Sequence, residues 1–121
     1  RNEVGAVLWH CGSGKDRTGL GTALLLLLLG AEEETIMQDY MRTNEYLAGE
    51  LQYMQRLAQT WEDIPRGIDR KLAALYQVKE EYLETAFMAI KKEYGTQERF
   101  FRNGLYLKPK MISELKDKYL I

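Results

Sequence analysis

Six consecutive leucines, Leu24 to Leu29, lie between Gly21 and Gly30 in a chain of 121 residues. A bilayer-crossing helix needs roughly 20 apolar residues, so this run is too short to be one. It reads instead as the apolar part of a helix over 18–29, greasy on every side, as in a helix at the centre of a domain, with Gly30 as its terminator. The residues on either side must then be arranged around that helix. Val4 to Trp9 is a short apolar run without helical period, which predicts a strand over 4–9 buried on both faces. Between strand and helix, Cys11 to Arg17 turns polar and contains Gly12 and Gly14, the composition of a tight loop.

No second convincing strand follows. A lone strand leaves backbone donors and acceptors unpaired, so its partners are expected from sequence outside this chain or from another copy of it. The second route would give a homodimer or a swapped assembly. The chain also begins at Arg1 without a recognisable leader, and the expectation is a fragment or a processed chain amounting to one small domain. With 45% hydrophobic and 29% charged residues, it has the balance of a folded globular protein. A formal charge of −1 argues against a broad nucleic-acid-binding surface. The single Cys and single His are adjacent, which excludes an internal disulfide and a zinc site built on several such ligands.

The remainder reads as helical. Glu32, Glu33 and Glu34 put negative charge where a helix should begin. Met37, Tyr40, Asn44, Leu47, Leu51, Met54, Ala58 and Trp61 recur every three or four residues, predicting one long helix or two nearly collinear ones, with a break at Asn44 or Gly49. Pro65 and Gly67 mark a loop over 61–69. A further amphipathic helix carries Tyr82, Leu83, Phe87, Ile90 and Tyr94 and ends at Gly95. A short helix over 97–103 ends at Gly104, and Pro109 opens a last helix carried by Ile112, Leu115 and Tyr119. The chain is thus expected to be mostly α, with one short strand and five to six helices.

The chemistry is concentrated in His10-Cys11-Gly12-Ser13-Gly14-Lys15-Asp16-Arg17-Thr18-Gly19. A thiol attacks effectively as a thiolate, and a position just before a helix N-terminus, ringed by backbone N–H groups and cations, lowers its pKa. The same N–H groups, converging from a loop with two glycines, make an anion site of phosphate size. Arg17, six residues after Cys11, allows the loop to close with a planar guanidinium that can hold two phosphoryl oxygens. Other anion-binding loops fail on spacing. A Walker A loop would need glycine where Trp9 stands and Ser or Thr in place of Asp16, and a dinucleotide fingerprint beginning at Gly12 would need a small residue in place of Arg17.

His-Cys, five residues, Arg, then Thr matches the signature of the cysteine-based phosphatases. The fuller string HCGSGKDRTG resembles the bacterial tyrosine phosphatases that also act on phosphoinositides. ETIMQDYMRTNEYL and EYLETAFMAIKKEYGTQERFFRNGLYL are similar to that group more loosely. The resemblance implies an α/β protein tyrosine phosphatase-like fold. Residues 1–121 would be its C-terminal portion, comprising a strand over 4–9, a phosphate-binding loop over 10–17 and a helical remainder over 18–121, with the N-terminal portion absent.

By the same resemblance, Cys11 is the nucleophile that forms a phosphocysteine and Arg17 the phosphate clamp. Gly12, Ser13, Gly14, Lys15 and Asp16 supply backbone donors. His10 holds the loop and helps depress the thiol pKa, although a purely structural histidine fits the position equally well, and the Thr18 hydroxyl hydrogen-bonds the sulfur. Lys15 adds a cation suited to inositol lipids, and Asp16 is the candidate general acid, with a solvated Lys15–Asp16 pair at the loop rim as the plainer reading. Trp61-Glu62-Asp63-Ile64-Pro65 superficially resembles an acid-bearing loop, but its order differs and it reads better as a helix-ending turn.

The implied activity is metal-independent hydrolysis of phosphomonoesters on phosphotyrosine proteins or phosphoinositides. No cofactor is implied, and inorganic phosphate or sulfate would occupy the loop. The rival class is a non-catalytic phosphoryl-binding or interaction module. A cytoplasmic enzyme and a secreted bacterial effector are both compatible with the sequence.

Overall fold

The computed structural model describes residues 5–120. Its centre is α1, Arg17–Leu29, which ends where Gly30 takes a left-handed φ of 99° and returns its N–H to the carbonyls of Leu26 and Leu27. A residue with a Cβ resists that conformation, and glycine accepts it without cost. The leucine run is indeed helical, but its burial is one-sided. Leu27 and Leu28 are buried with Ala23, whereas Leu24 and Leu25 are only half-buried. The side that is covered packs on α2 (Glu33–Met41) and on α8 (Pro109–Tyr119), and α6 (Glu80–Tyr94) joins the same core through Leu83, with Ile36, Tyr40 and Phe101.

The expected strand over 4–9 is not formed. Residue 4 lies outside the described residues, and 6–10 run without strand pairing. Val7 and Leu8 are exposed rather than buried on both faces. The composition suits a strand, but a strand is a property of a pair, and no second segment among the described residues lies alongside to complete the ladder. The segment instead passes along α1, with the indole nitrogen of Trp9 3.9 Å from where a Cβ on Gly21 would stand. The described residues therefore form a mostly helical structure without strands, and the α/β character implied by resemblance is not seen in them.

The long apolar stripe resolves into three helices rather than one or two: α2, a single turn α3 (Thr43–Tyr46) and α4 (Ala48–Ala58). The expected break near Asn44 and Gly49 thus falls at Arg42 and Leu47, on either side of Asn44. The expected loop over 61–69 gives way at Ile68 to α5, Ile68–Tyr76, a helix that its apolar spacing did not announce. α4 and α5 form an antiparallel hairpin around a small core of their own, made of Leu51, Ala58 and Leu72.

What returns this excursion to the main core is Asn44. Its side-chain nitrogen donates to the carbonyl of Val78 at 3.1 Å, and its Oδ1 accepts from the Val78 N–H at 2.8 Å. One amide side chain thereby pairs both polar groups of a buried residue that lies between α5 and α6, which explains the single polar member of the stripe.

After Gly95, α7 (Gln97–Arg99) is capped by Thr96, whose hydroxyl accepts from the Arg99 N–H at 3.2 Å. It runs into a π-helical turn, Phe100–Gly104, in place of a uniform short helix. The wide turn lets Phe100 set its ring edge-on to Tyr94, with centroids 5.2 Å apart. A Cβ on Gly104 would meet Phe100 Cδ2 at 2.8 Å and Tyr94 Cζ at 3.0 Å, so glycine is required there for packing as well as for ending the turn. Pro109 stands in the first turn of α8, as its missing N–H allows.

Replacing Asn44 by Ala leaves the buried N–H and C=O of Val78 unpaired. The expected result is a loss of about 1–3 kcal/mol in stability, read by urea unfolding, with faster amide exchange in 48–76 than in α1. Unchanged exchange in the hairpin would show that its own small core anchors it.

Candidate active site

The loop between the extended segment and α1 is built around unused backbone donors. Asp16 occupies the N-cap position of α1, yet its side chain caps nothing. Its carboxylate is turned instead to Lys15, whose Nζ lies 2.9 Å from Asp16 Oδ1. The first N–H groups of an α-helix have no acceptor within the helix, and the Asp16 side chain supplies none here, so the positive end of α1 remains available to an anion. Gly14 bends the loop with φ 71°, a conformation that suits glycine.

Cys11 benefits from this arrangement. Its thiol is held far below the usual 9.0, at about 6. The largest cause is the hydroxyl of Thr18, followed by the backbone N–H of Thr18; burial opposes them, and the N–H groups of Gly14 and Ser13 add smaller contributions. Thr18 Oγ1 is buried and has no conventional hydrogen-bond partner. A hydroxyl in that position has the sulfur to answer to, and donates most strongly when the sulfur is an anion. At neutral pH the resting form is therefore chiefly thiolate.

The other expected residues fall around the loop as follows. His10 is exposed, and its Nδ1 stands 3.2 Å from the carbonyl oxygen of Cys11, where it acts as a donor and steadies the loop backbone. Gly12 and Ser13 are exposed on the loop crest. Lys15 is the one buried charged residue among those described, while its partner Asp16 is exposed. The pair anticipated at the rim exists, but its cation is not solvated: the Lys15 side chain is buried and the Asp16 carboxylate stands outside.

Arg17 begins α1 and, with Asp16, borders a hollow of about 260 Å³ whose other walls include Leu20, Tyr40 and Tyr82. Cys11 does not line that hollow. The Trp61–Pro65 segment forms the turn between α4 and α5, as its plainer reading anticipated.

Two tyrosines that the sequence marks only as members of helix faces stand beside the site. The Tyr40 ring is buried against the first turn of α1, and a Cβ on Gly19 would meet its Cε2 at 2.9 Å and its Cδ2 at 3.2 Å. The glycine that follows Thr18 thus admits the ring of α2. Burial raises the Tyr40 phenol pKa, and the carboxylate of Asp16 and then Tyr82 raise it further. The signal available beforehand was Gly19 itself, an odd residue to find in the first turn of a helix.

Comparison with known proteins then decides the family. The family model described as the tyrosine phosphatase family matches residues 1–121, the whole chain. The chain belongs to the tyrosine phosphatase family. It is 32% identical over 111 residues to the triple specificity protein phosphatase PtpB of Mycobacterium tuberculosis, covering 81% of this chain and 38% of that protein. A Cupriavidus necator protein provisionally named a tyrosine-protein phosphatase is 29% identical over 115 residues, covering 94% of this chain and 39% of its own length. A tyrosine-protein phosphatase of Nostoc commune is 48% identical over 46 residues, 38% of this chain and 16% of its own. The chain therefore spans less than two-fifths of the length of these relatives.

Because Cys11 is the sole cysteine, its titration can be read without ambiguity. Alkylation by iodoacetamide, followed by intact mass, is expected to rise with pH through about 6 and to level above it. Thr18→Val should move that rise toward 9.0, since the largest stabiliser of the thiolate is removed. A rise near 9.0 in the unmodified protein would contradict the geometry described.

Proposed function

We propose that this chain carries the catalytic loop of a cysteine-dependent phosphatase that hydrolyses phosphotyrosine in proteins and also accepts phosphoinositides. The observation that carries this reading is the placement of Cys11 just ahead of the uncapped end of α1, where the Thr18 hydroxyl and then backbone N–H groups lower its thiol pKa. Family membership supports the phosphatase reading, and the name of the Mycobacterium tuberculosis relative, a triple specificity phosphatase, fits a site with more than one kind of substrate.

The proposed sequence begins with the Cys11 thiolate attacking phosphorus in line with the leaving oxygen. The sulfur–phosphorus bond forms as the phosphorus–oxygen bond breaks. The charge spread over the phosphoryl oxygens is met by backbone N–H groups from Gly12 to Arg17 and by the Arg17 guanidinium. These donors belong to a loop carried on α1, whose covered side is held in the core.

The leaving phenolate or alkoxide takes a proton from Asp16 in its carboxylic acid form, protonated on the exposed carboxyl oxygen that Lys15 does not hold. Water then attacks the phosphocysteine, returning the thiolate and releasing inorganic phosphate, with Asp16 receiving the proton from that water. Lys15, fixed in position by burial, places a cation beside the same loop and favours substrates that carry further phosphates.

The test is turnover by the full-length protein on a phosphotyrosine peptide and on phosphoinositide vesicles. Cys11→Ser should reduce both to background, Arg17→Ala should lower kcat/KM by about 10²–10³-fold, and Asp16→Asn should lower kcat by about 10²-fold or more. Full activity of Cys11→Ser would refute the mechanism. Phosphate binding without any turnover by the unmodified protein would favour a phosphoryl-binding module instead.

A further inference from the structure

Away from the loop, residues of α2 and α6 line a groove of about 800 Å³. Its floor is apolar: Leu27 at the far end of α1, Met37 of α2, and Phe87 and Ile90 of α6. Its rim is acidic. Glu33 and Glu34 stand on the α2 side, Glu80 and Glu84 on the α6 side, and Lys91 is the one cation among the described residues that line the groove.

Glu33 and Glu34 lie in the first turn of α2 and Glu80 in the first turn of α6, where carboxylates complement the helix dipole. Glu84 lies a turn further into α6 and has no such duty. Gln97 donates to Glu33 at 3.2 Å and fixes one carboxylate of the rim where α7 closes one end of the groove. The whole chain carries a formal charge of only −1, so four carboxylates against one lysine make this groove a local concentration of negative charge on a nearly neutral molecule.

We propose that this groove docks a basic amphipathic helix of a partner protein. Apolar side chains spaced by three and four residues would insert between α2 and α6, while lysines or arginines on the flanks of that helix would meet the two rows of glutamate. Charge decides the occupant. An acidic or neutral amphipathic helix would bury the same apolar surface but would be repelled by the rim or gain nothing from it. The groove stands at the opposite end of α1 from the catalytic loop, since its floor is Leu27 while the loop precedes Arg17. Docking there would recruit substrates or fix the location of the protein without obstructing the loop.

The experiment is a fluorescence anisotropy titration of the full-length protein with two synthetic helical peptides. They share one leucine pattern and differ only in having lysine or glutamate at the flanking positions. Binding of the lysine peptide should exceed that of the glutamate peptide by at least about 10-fold and should weaken as salt is raised. Glu80→Lys with Glu84→Lys, both exposed positions, should reverse the preference, while Met88→Asp, at an exposed apolar side chain of the groove wall, should weaken both peptides.

Circular dichroism of each variant establishes that the fold is retained. Equal binding of the two peptides, a preference unchanged by the charge reversal, or self-association of the chain that Met88→Asp abolishes would each overturn the proposal. None of these readouts depends on phosphatase turnover, so the proposal and the catalytic reading fail separately.

Discussion

The position of α1 governs everything else in this molecule. Ala23, Leu27 and Leu28 lock the helix into the core, and the core thereby determines where its N-terminus points. The amides at that end have no cap, because Asp16 spends its carboxylate on Lys15. A helix end left unsatisfied is ordinarily a cost. Here it is placed beside a thiol, where the Thr18 hydroxyl first and the open backbone donors after it lower the pKa of the sulfur. Thr18 belongs to both structures: it is a residue of the first turn of α1 and the chief stabiliser of the Cys11 thiolate.

The surrounding elements serve that placement in different ways. α2 approaches the first turn closely because Gly19 has no side chain, and this brings Tyr40 beside Asp16 and Arg17. α8 braces the opposite end of α1, where Lys116 Nζ comes within 3.9 Å of the place a Cβ on Gly30 would occupy, a favourable site for a cation among terminal carbonyls. The α4–α5 hairpin is less integrated. It has its own small core and rejoins the main one through the paired hydrogen bonds of Asn44 with Val78, so its stability is separable from that of the helix that carries the loop.

Much of this was legible in the sequence where the cause is local. Gly30, Gly95 and Pro109 mark helix ends by backbone geometry alone, and the structure places those ends there. The loop was legible because thiol, glycines and guanidinium are meaningful only at a particular spacing. The strand over 4–9 was not, since pairing depends on residues distant in sequence, whereas composition reports only suitability. α5 was obscured by Pro65 and Gly67 just before it, and the π-helical turn by the fact that Phe100 and Tyr94 select it through packing. The burial of Lys15 had no signal: a lysine between two loop residues is normally solvated, whereas here it is buried.

The central claim is that the Cys11 sulfur itself accepts the phosphoryl group. Acid quenching of the full-length protein during turnover of a phosphotyrosine peptide, followed by proteolysis and mass spectrometry, reads this directly. The account predicts a phosphoryl adduct on the peptide containing Cys11 that disappears once substrate is exhausted. A transient adduct on a different residue, with Cys11 unmodified throughout turnover, would contradict it.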